Sequence, residues 1–426
     1  MRTPSTRRGE KTRGKLLERA VLAFTREGFH ATSVASICRA ARVANGSFYQ
    51  YFPDKLAVFT ALVDRLRDSF RRTLQGARGI AETGARVFSF FDEAGPAFQV
   101  FREAEFLEVP HPRGTFYDEA AARLGDALDV DEATAWGVFG ALIMAALHFG
   151  VWENRPVPDP TRGELLEVIA RGIADRHDDR WRDLSFPDRR MAEMAGGPAG
   201  RAEETRRALV AAARRLFARQ GYAATRISQI TDAAGVGLGT FYGHFPAKRD
   251  LLDHLVEGIR LEMRQWVGAV AGSGAGAAAA RGGGRSDRLD VGRAPWPPGM
   301  AAPDPRFAPG PGPDPLEAER LTFLAFMAFI RHHGDVYRIV REAEFAEPDI
   351  GRRYYHGIHA DRIAFLSRAQ ALGRVRAGNP SVQAAFLMGV EALAGLRWVI
   401  WGEASRQPPA ALRATLRLMF NGLAAG

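Results

Sequence analysis

The fold is decided by a stretch that this chain carries twice: GFHATSVASICRAARVANGSFYQYFPDK at residues 28–55 and GYAATRISQITDAAGVGLGTFYGHFPAK at residues 221–248. Both copies run Gly-aromatic-x-x-Thr, then an apolar pattern of helical period, then Gly-Ser/Thr-Phe-Tyr and Phe-Pro-x-Lys. The copies lie 193 residues apart. A repeat of this length is one folding unit used twice.

Each copy predicts three helices. In the first copy we expect them at residues 11–27, 33–41 and 45–52, with Gly28 ending the first helix and Thr32 capping the second. In the second copy we expect them at residues 205–220, 226–234 and 238–245, with Thr225 as the cap. Two helices joined by a short turn, the later one entering the major groove by its N-terminal end, form a helix-turn-helix that reads DNA.

The rest of the chain is also predicted to be helical. Apolar residues recur at helical spacing, no run alternates as a strand does, and 46% of the 426 residues are hydrophobic, which supports real cores. The duplication continues beyond the repeated block, because FREAEF at residues 101–106 recurs as VREAEF at residues 340–345. We therefore expect an all-α protein of two tandem units, each a small basic domain followed by a larger helical one.

Positive charge is concentrated on the two repeated blocks. The chain carries a formal net charge of +9, whereas residues 1–60 carry +7 and residues 201–260 carry +4, so the remainder is slightly acidic. A polyanion binder requires this distribution of charge. The charge therefore supports a nucleic-acid partner for both copies.

Other classes of protein find little support in the sequence. The single Cys38 excludes an internal disulfide, and there is neither metal-binding His/Glu spacing nor a nucleophile motif, so we expect no enzyme, metal or cofactor. The polar, basic N-terminus predicts no signal peptide. Residues 135–152 form an apolar run near the lower limit for a membrane span, but the counterpart at residues 384–401 contains Glu391 and Arg397. We expect buried helices there and no membrane partner.

The repeated block closely resembles the N-terminal domain of the TetR/AcrR family of bacterial transcriptional regulators. The resemblance rests on Gly-Phe-x-x-Thr-Ser-Val-x-x-Ile and Ala-x-Val-x-x-Gly-Ser-Phe-Tyr-x-Tyr-Phe-Pro-Asp-Lys in the first copy, and the second copy fits better still. Each match covers about 45 residues. The remainder resembles the family only in being helical and apolar, which implies a variable domain that binds a ligand and forms dimers.

The resemblance divides the expected all-α chain into named domains. They are a helix-turn-helix DNA-binding domain at 10–56, a helical regulatory domain at 57–183, a linker at 184–202, a second DNA-binding domain at 203–249, a connecting helix at 250–270, a disordered linker at 271–315 and a second regulatory domain at 316–426. The segment at 271–315 is expected to be disordered because 19 of its 45 residues are Gly or Pro, so it cannot bury a core.

Contacts with the DNA backbone are expected from the matched hydroxyl and ammonium groups. The tyrosines of the Phe-Tyr pairs place hydroxyls where a phosphate oxygen is the natural acceptor, unless they pack inside. The lysines open a fourth helix whose N-terminal amides favour a phosphate, unless they are simply solvated. The threonine caps can add phosphate contacts. The candidates are Thr32, Tyr49, Lys55, Thr225, Tyr242, His244 and Lys248.

Base reading is expected from Asn45 and Ser47 in the first copy and from Thr240 in the second. Asparagine can form two hydrogen bonds with adenine, worth roughly 1 to 3 kcal/mol of discrimination. Asn45 as a plain helix cap is the alternative. In the second copy the reading helix begins Gly-Leu-Gly at residues 237–239, so we expect it to read bases weakly and to hold phosphates mainly.

The copies also differ in the turn. Arg42 stands where the second copy has Gly235, and a residue other than glycine is disfavoured at positive φ. Either the turn is reshaped in the first copy, or Arg42 reaches DNA.

The larger domains are rich in aromatic residues, and the resemblance implies that they enclose a pocket for an apolar ligand whose binding changes the spacing of the DNA heads. An ordinary core role is the alternative for any one of these residues. The repeated Arg-Glu-Ala-Glu motif supplies glutamates that either anchor a ligand or pair with Arg102 and Arg341. They are Glu103 and Glu105 in the first half and Glu342 and Glu344 in the second. The pocket candidates are Phe101, Glu105, Trp136, His148, Tyr337, Glu344 and Trp398.

These inferences combine into one hypothesis: a cytoplasmic, nucleoid-associated bacterial regulator, a ligand-responsive repressor, that binds a double-stranded DNA operator. Family members usually dimerise through their last helices, and both halves retain an apolar helix ending in Val-Trp or Ile-Trp, so we expect an intramolecular pseudo-dimer. The alternatives are a homodimer with four heads, and a ligand-sensing or scaffold protein whose heads no longer bind DNA specifically.

Overall fold

The computed structural model describes residues 7–104, 115–153, 155–174, 200–279, 315–401 and 409–424. These residues form helices and connecting turns, with one isolated bridge between Val375 and Ala424. The predicted all-α class is therefore confirmed. The chain divides into two compact units, Met1–Leu166 and Glu167–Gly426. Each unit contains one copy of the repeated block.

The first unit opens with the three-helix block, which we call the first head. Helix α1 is Arg7–Ala31, α2 is Val34–Ala41 and α3 is Asn45–Phe48, so the reading helix is shorter than predicted. Helix α1 is interrupted at Gly28, whose φ of 78° and ψ of 159° suit a residue without Cβ. The buried apolar side chains of the head include Leu16, Leu17, Phe24, Phe29, Ile37, Phe48 and Phe52.

The remainder of the first unit supports this head. Its helices are α4 (Lys55–Thr73), α5 (Gly79–Ala104), α6 (Thr115–Leu128), α7 (Glu132–Ala146) and the beginning of α8 (Asp159–Ala174). Helix α5 packs against α1 and α4, and α6 packs against α4 and α7. The core between them is aromatic, with ring contacts among Phe70, Phe90, Phe91, Phe98, Phe116 and Phe139.

The second unit contains the second head. Helix α9 is Arg201–Gln220 and ends at Gly221, whose φ of 89° and ψ of 157° repeat those of the first head; α10 is Ile227–Ala234 and α11 is Leu238–His244. Helix α12 is Lys248–Ala279, so it joins the predicted connecting helix to the second head and runs into the segment predicted as a linker. Alanine, the best helix former, dominates that end of α12. Residues 280–314 lie outside the described residues.

The helices that support the second head follow the order of the first unit. They are α13 (Pro315–His332), α14 (Gly334–Ala346), α15 (Pro348–Ala371), α16 (Pro380–Gly395) and α17 (Pro409–Leu423). Helix α12 packs against α13 and α15, α14 packs against α9 and α15, and α16 packs against α15 and α17. Wide π-helical turns follow α7 and α16 at equivalent places, Leu147–Trp152 and Leu396–Ile400.

Two helical stretches are long and apolar enough to cross a membrane by length and composition. They are Glu132–Trp152 and Pro380–Ile400, and 78% and 72% of their apolar windows are buried inside the fold. Burial on most faces is what a core helix of a globular domain requires. The two stretches therefore occupy the core positions that the sequence predicts.

Candidate nucleic-acid interface

The turn of the helix-turn-helix has the same backbone geometry in both heads. Arg42 ends α2 with φ 54° and ψ 46°, and Gly235 ends α10 with φ 68° and ψ 33°. In each head the next residue, Val43 or Val236, donates an amide hydrogen bond of 3.0 Å back into the helix. The turn of the first head is therefore not reshaped. Arg42 adopts the left-handed conformation that favours glycine, and its side chain is exposed.

The two reading helices begin at equivalent residues. Asn45 opens α3 after the extended residue Ala44, and Leu238 opens α11 after the extended residue Gly237. Asn45 is thus the first helical residue and not the cap, and its side chain is exposed. In both heads the first side chain of the reading helix is exposed.

The two tyrosines lie on the surface of the reading helices. Tyr49 is 59% exposed and Tyr242 is 53% exposed, whereas the preceding Phe48 and Phe241 are fully buried. Each tyrosine ring packs edge-on against its phenylalanine, with ring centres 5.4 Å apart. The phenylalanine therefore fills the core and leaves the tyrosine hydroxyl outside. On the same short helices Thr240 is exposed, and Ser47 and His244 are half-buried.

The two threonines are not the helix caps that the sequence predicted. Thr32 and Thr225 are 1% exposed, and their hydroxyls donate to the carbonyls of the glycines four residues earlier, at 2.8 and 2.7 Å. The cap of α2 is Ser33, whose hydroxyl accepts from the Ser36 amide at 3.0 Å. In the second head the cap position is Arg226. The prediction was wrong by one residue because the threonine turns inward to satisfy a carbonyl at the kink.

The two lysines hold the heads together. Lys55 Nζ donates to the carbonyls of Phe29 and Thr32 at 2.5 and 2.8 Å, and Lys248 makes the same two bonds in the second head at 2.8 Å each. Each ammonium also lies 4.4 or 4.3 Å from the centre of the aromatic ring that follows the helix-ending glycine. Burial lowers the pKa of both lysines. The sequence missed this structural role, and a phosphate contact stays a prediction.

The repeated Arg-Glu-Ala-Glu motif supplies a carboxylate to the end of each first helix. Glu103 Oε1 accepts from the Phe29 amide at 3.0 Å, and Glu342 Oε2 accepts from the Tyr222 amide at 2.5 Å. A Cβ on the preceding glycine would lie 3.0 or 2.8 Å from that carboxylate. Burial raises the pKa of Glu103, opposed by the Phe29 amide and the Lys55 charge. These contacts answer what the sequence left open: both glutamates bind the kink of their head.

The second unit adds ion pairs to this junction. The Tyr222 hydroxyl donates to Glu347 at 3.0 Å, and Arg249 contacts Glu347 at 3.1 Å and also pairs with Asp349. Burial, the hydrogen bond and the charge of Glu347 raise the pKa of Tyr222. The head and the helices α14 and α15 of the second unit are thus joined by a polar network.

The pocket candidates of the first unit lie in a packed aromatic core. Phe101 and Trp136 are buried and both contact Tyr117, with ring centres 5.1 and 6.1 Å away. His148 lies in the π-helical turn, where it pairs with Glu153 at 3.0 Å. Glu105 lies outside the described residues.

Two of the pocket candidates of the second unit belong to one polar group, and the third, a tryptophan, lies apart from them. Arg341 bridges two of them, because it contacts Glu344 at 3.1 Å and the Tyr337 hydroxyl at 2.9 Å. Trp398 lies in the second π-helical turn, 4.9 Å beneath the Arg397 guanidinium. The structure therefore brings Tyr337 and Glu344 together.

A buried charged cluster that sequence reasoning did not find lies among α13, α15 and α16. Arg362 pairs with Glu319 and with both oxygens of Glu391 at 2.6 Å, and both carboxylates are buried. Burial raises the pKa of Glu391 to about 7, although the Arg362 charge acts in the opposite direction. The sequence signal was Glu391 itself, a carboxylate within an otherwise apolar run.

Among the residues that the structure describes, no group of three or more His, Cys, Asp or Glu side chains is arranged to hold a metal ion. Cys38 is buried in the first head, and burial raises the pKa of its thiol. A buried thiol with a raised pKa is chemically inert, so Cys38 serves the packing of the head.

Two helix-turn-helix heads with exposed reading helices, each carried on a larger helical support, define a DNA-binding protein of the regulatory class. The model of the bacterial regulatory proteins of the tetR family matches the chain at residues 16–62 and again at residues 209–255. Each head is therefore similar to the DNA-binding domain of TetR-family regulators, and the chain carries that domain twice.

Individual relatives resemble only parts of the chain. The HTH-type transcriptional regulator AcrR of Shigella flexneri is 43% identical over 56 residues, which are 13% of this chain and 26% of that regulator. The match thus spans about a quarter of the relative's length. A solved structure of a putative TetR-family regulator from Shewanella sp. PV-4 is similar over 52% of this chain and 98% of its own length, with 19% identity and a TM-score of 0.38. A TetR-family regulator from Marinobacter aquaeolei VT8 is similar over 53% of this chain and 98% of its own length, with 14% identity and a TM-score of 0.38.

Proposed function

We propose that this regulator is a ligand-responsive repressor that binds one DNA operator with both heads of a single chain. The observation that carries the proposal is the common surface of the heads. In each, an exposed first residue, Asn45 or Leu238, and an exposed tyrosine four residues later share one face of the reading helix. That spacing offers one side chain to the bases and one hydroxyl to the backbone.

The residues with the best geometry for DNA are those that the fold leaves at the surface. Tyr49 and Tyr242 suit phosphate oxygens, and Asn45 suits adenine. Arg42 projects from the turn beside the first reading helix, where it suits a phosphate or a base edge. Ser47, Thr240 and His244 complete the proposed contact surface on the two reading helices.

The test is a salt-dependent mobility shift with the full chain on its own upstream DNA. We expect sequence-specific binding at moderate salt that weakens with rising salt, because phosphate contacts release counterions. The Tyr49→Phe and Tyr242→Phe variants should each weaken binding without unfolding the chain. Binding that shows no sequence preference would favour a sensing or scaffold protein whose heads no longer recognise DNA.

Pairing within one chain is supported by the last helices. The end of α8, which belongs to the second unit, packs closely on α17: a Cβ on Gly172 would lie 2.5 Å from the Leu418 carbonyl, and one on Gly422 would lie 2.9 Å from the Val168 carbonyl. Arg376 also pairs with Glu167 at 2.6 Å. In chain order α8 follows the first head and α17 follows the second, so their packing would do within one chain what two subunits do in a dimer.

The mass of the protein in solution and on DNA tests the pairing. The proposal predicts one chain per operator and two protected half-sites. A species of twice the chain mass, with a footprint of four heads, would overturn the intramolecular version and establish the homodimer.

We propose that a small apolar ligand controls DNA binding by this regulator, and that the protein acts in the cytoplasm of a bacterium. The support is the aromatic core of the first unit around Phe101, Tyr117 and Trp136, and the contact of Glu103 with the kink of the head. A ligand that displaced α5 would move that carboxylate and the head with it. Screening apolar compounds for release of operator DNA tests this part, and release by none of them would count against it.

A further inference from the structure

We infer that Leu238 is a base-reading residue of the second head and that it recognises the C5-methyl group of a thymine. The inference rests on the proposed function, in which both heads bind DNA. It changes the expectation from sequence, in which the second head reads bases weakly because its reading helix lacks polar reach.

The first argument is register. Leu238 and Asn45 are each the first residue of a reading helix, and each follows an extended residue. The turn before them is the same, since Gly235 and Arg42 share the left-handed conformation. Leu238 therefore occupies the place in the second head from which Asn45 would address a base in the first.

The second argument is exposure on the face that meets DNA. Leu238 is 51% exposed, and Tyr242, one helical turn later, is 53% exposed, while Phe241 between them is fully buried. Leucine at this place contributes little to the core of the head. Leu238 and Tyr242 are four residues apart on the reading helix, as Asn45 and Tyr49 are in the first head, and residues at this spacing are neighbours on a helix surface.

The third argument is the absence of neighbouring bulk. Gly239 and Gly243 flank Leu238 and Tyr242 on α11, and a Cβ on either glycine would meet nothing within 4 Å. The backbone of this helix can therefore approach DNA closely, with Leu238 projecting from it. The leucine side chain has no hydrogen-bonding atom, and the one apolar group on the major-groove edges of the bases is the thymine methyl.

The experiment begins with selection of bound duplexes by the full chain, which yields the two half-sites. Each thymine of the selected site is then replaced singly by uracil, which lacks the C5-methyl group and keeps the same hydrogen-bonding atoms. Dissociation constants are measured for the natural chain, Leu238→Ala and, as a control, Tyr242→Phe.

We expect one thymine, in one half-site only, whose replacement weakens binding by the natural chain about fourfold, the effect of one buried methyl-sized group. The same replacement should leave binding by Leu238→Ala unchanged. Tyr242→Phe should bind more weakly overall and keep the fourfold sensitivity. Sensitivity that persists in Leu238→Ala, or no sensitive thymine in either half-site, would overturn the assignment.

A further variant tests the register directly. Leu238→Asn should prefer, in the second half-site, the base that Asn45 selects in the first, so that the two selected half-sites become more alike. Unchanged selection by Leu238→Asn would also overturn the assignment. Failure of the natural chain to select any sequence is a different result, because it overturns the proposed function itself.

Discussion

At Arg42 an arginine occupies a backbone conformation that the second head gives to glycine. A left-handed conformation brings Cβ close to the following carbonyl oxygen and costs roughly 1 to 2 kcal/mol in residues other than glycine. The turn keeps its geometry because the Val43 amide donates a hydrogen bond to the Cys38 carbonyl, as the Val236 amide does to the Thr231 carbonyl in the second head. The first head therefore carries strain that the second head does not.

The Arg42→Gly substitution should relieve this strain. We expect the free energy of local opening of α2 to rise by about 1 kcal/mol, measured by hydrogen exchange of its amides in the full chain. The reciprocal Gly235→Arg should lower that of α10 by a similar amount. If Arg42 contacts a phosphate, its loss should also reduce the slope of log K against log salt by about 0.9. A less stable Arg42→Gly head would contradict the strain.

Lys248 gives a second prediction for a single residue. Lys248→Met keeps the length of the side chain but leaves the carbonyls of Tyr222 and Thr225 without their charged donor. Hydrogen bonds to charged groups contribute about 1.5 to 3 kcal/mol, so we expect the second head to lose stability of about that size. Thermal unfolding measures the loss. Lys15→Met, at an exposed position of α1, serves as the control and should leave stability unchanged.

At the scale of elements, the contacts of α5 with α1 and of α14 with α9 join each head to its support. In both units one carboxylate reaches the backbone amide that follows the glycine kink. The kink requires glycine twice over, for its positive φ and for the space that the carboxylate occupies. In the second unit Arg338 of α14 also donates to the carbonyls of Ala218 and Arg219, so a shift of α14 acts on the end of α9 through several hydrogen bonds.

The Glu342→Ala and Glu342→Gln variants should separate the hydrogen bond from the charge. The alanine variant leaves the Tyr222 amide without its acceptor, so we expect its exchange with solvent to be about tenfold faster, as for a bond worth about 1.4 kcal/mol. The glutamine variant keeps an acceptor oxygen and should show a smaller change. Equal exchange in all three proteins would show that the contact does not hold the kink.

The buried cluster of Arg362, Glu319 and Glu391 predicts a pH dependence. The folded-state pKa of Glu391 is raised to about 7 from an ordinary value of 4.5, so the folded chain holds a proton that the unfolded chain releases between these values. Stability of the second unit should therefore fall as pH rises from about 4.5 to about 7. Thermal unfolding across this range measures it. Glu391→Gln should flatten the dependence, and an unchanged profile in that variant would assign the effect elsewhere.

The helices and their order could be predicted because the 3.6-residue spacing of apolar side chains and the glycines that end helices indicate the same boundaries. The glycines at 28, 221 and 235 mark ends or turns that the structure confirms. What could not be predicted depends on partners far along the chain. The roles of Lys55 and Glu103 emerge only when α1, α4 and α5 are packed together, 26 and 74 residues from Phe29. The cap moved from Thr32 to Ser33 because two adjacent hydroxyls suit a cap, and packing decides which one turns inward.

At the scale of the whole molecule, the proposal that a single chain binds the operator rests on the packing of α8 on α17. Gly172 and Gly422 lie where any side chain would meet the backbone of the facing helix. The two helices can pack this closely only because both positions are glycine and have no Cβ.

The Gly422→Leu substitution should therefore disrupt this packing. We expect a lower unfolding temperature and, because apolar helix surface becomes exposed, a change of the sedimenting mass from one chain to two or more. Gly258→Leu, at an exposed position of α12 where a Cβ meets nothing within 4 Å, is the matched control. A Gly422→Leu protein as stable and monomeric as the control would show that the packing of α8 on α17 does not determine the number of chains.

The first residues of the two reading helices, Asn45 and Leu238, differ, and this difference affects how an operator can evolve. In a regulator assembled from identical subunits, every mutation in a reading head appears in both half-sites at once, so an operator must change twice to follow it. Here a mutation alters one head and leaves the other in place. If one chain binds one operator with both heads, as proposed above, the operator can drift one half at a time. It then has a left and a right side, and the bound chain has a fixed direction along the DNA.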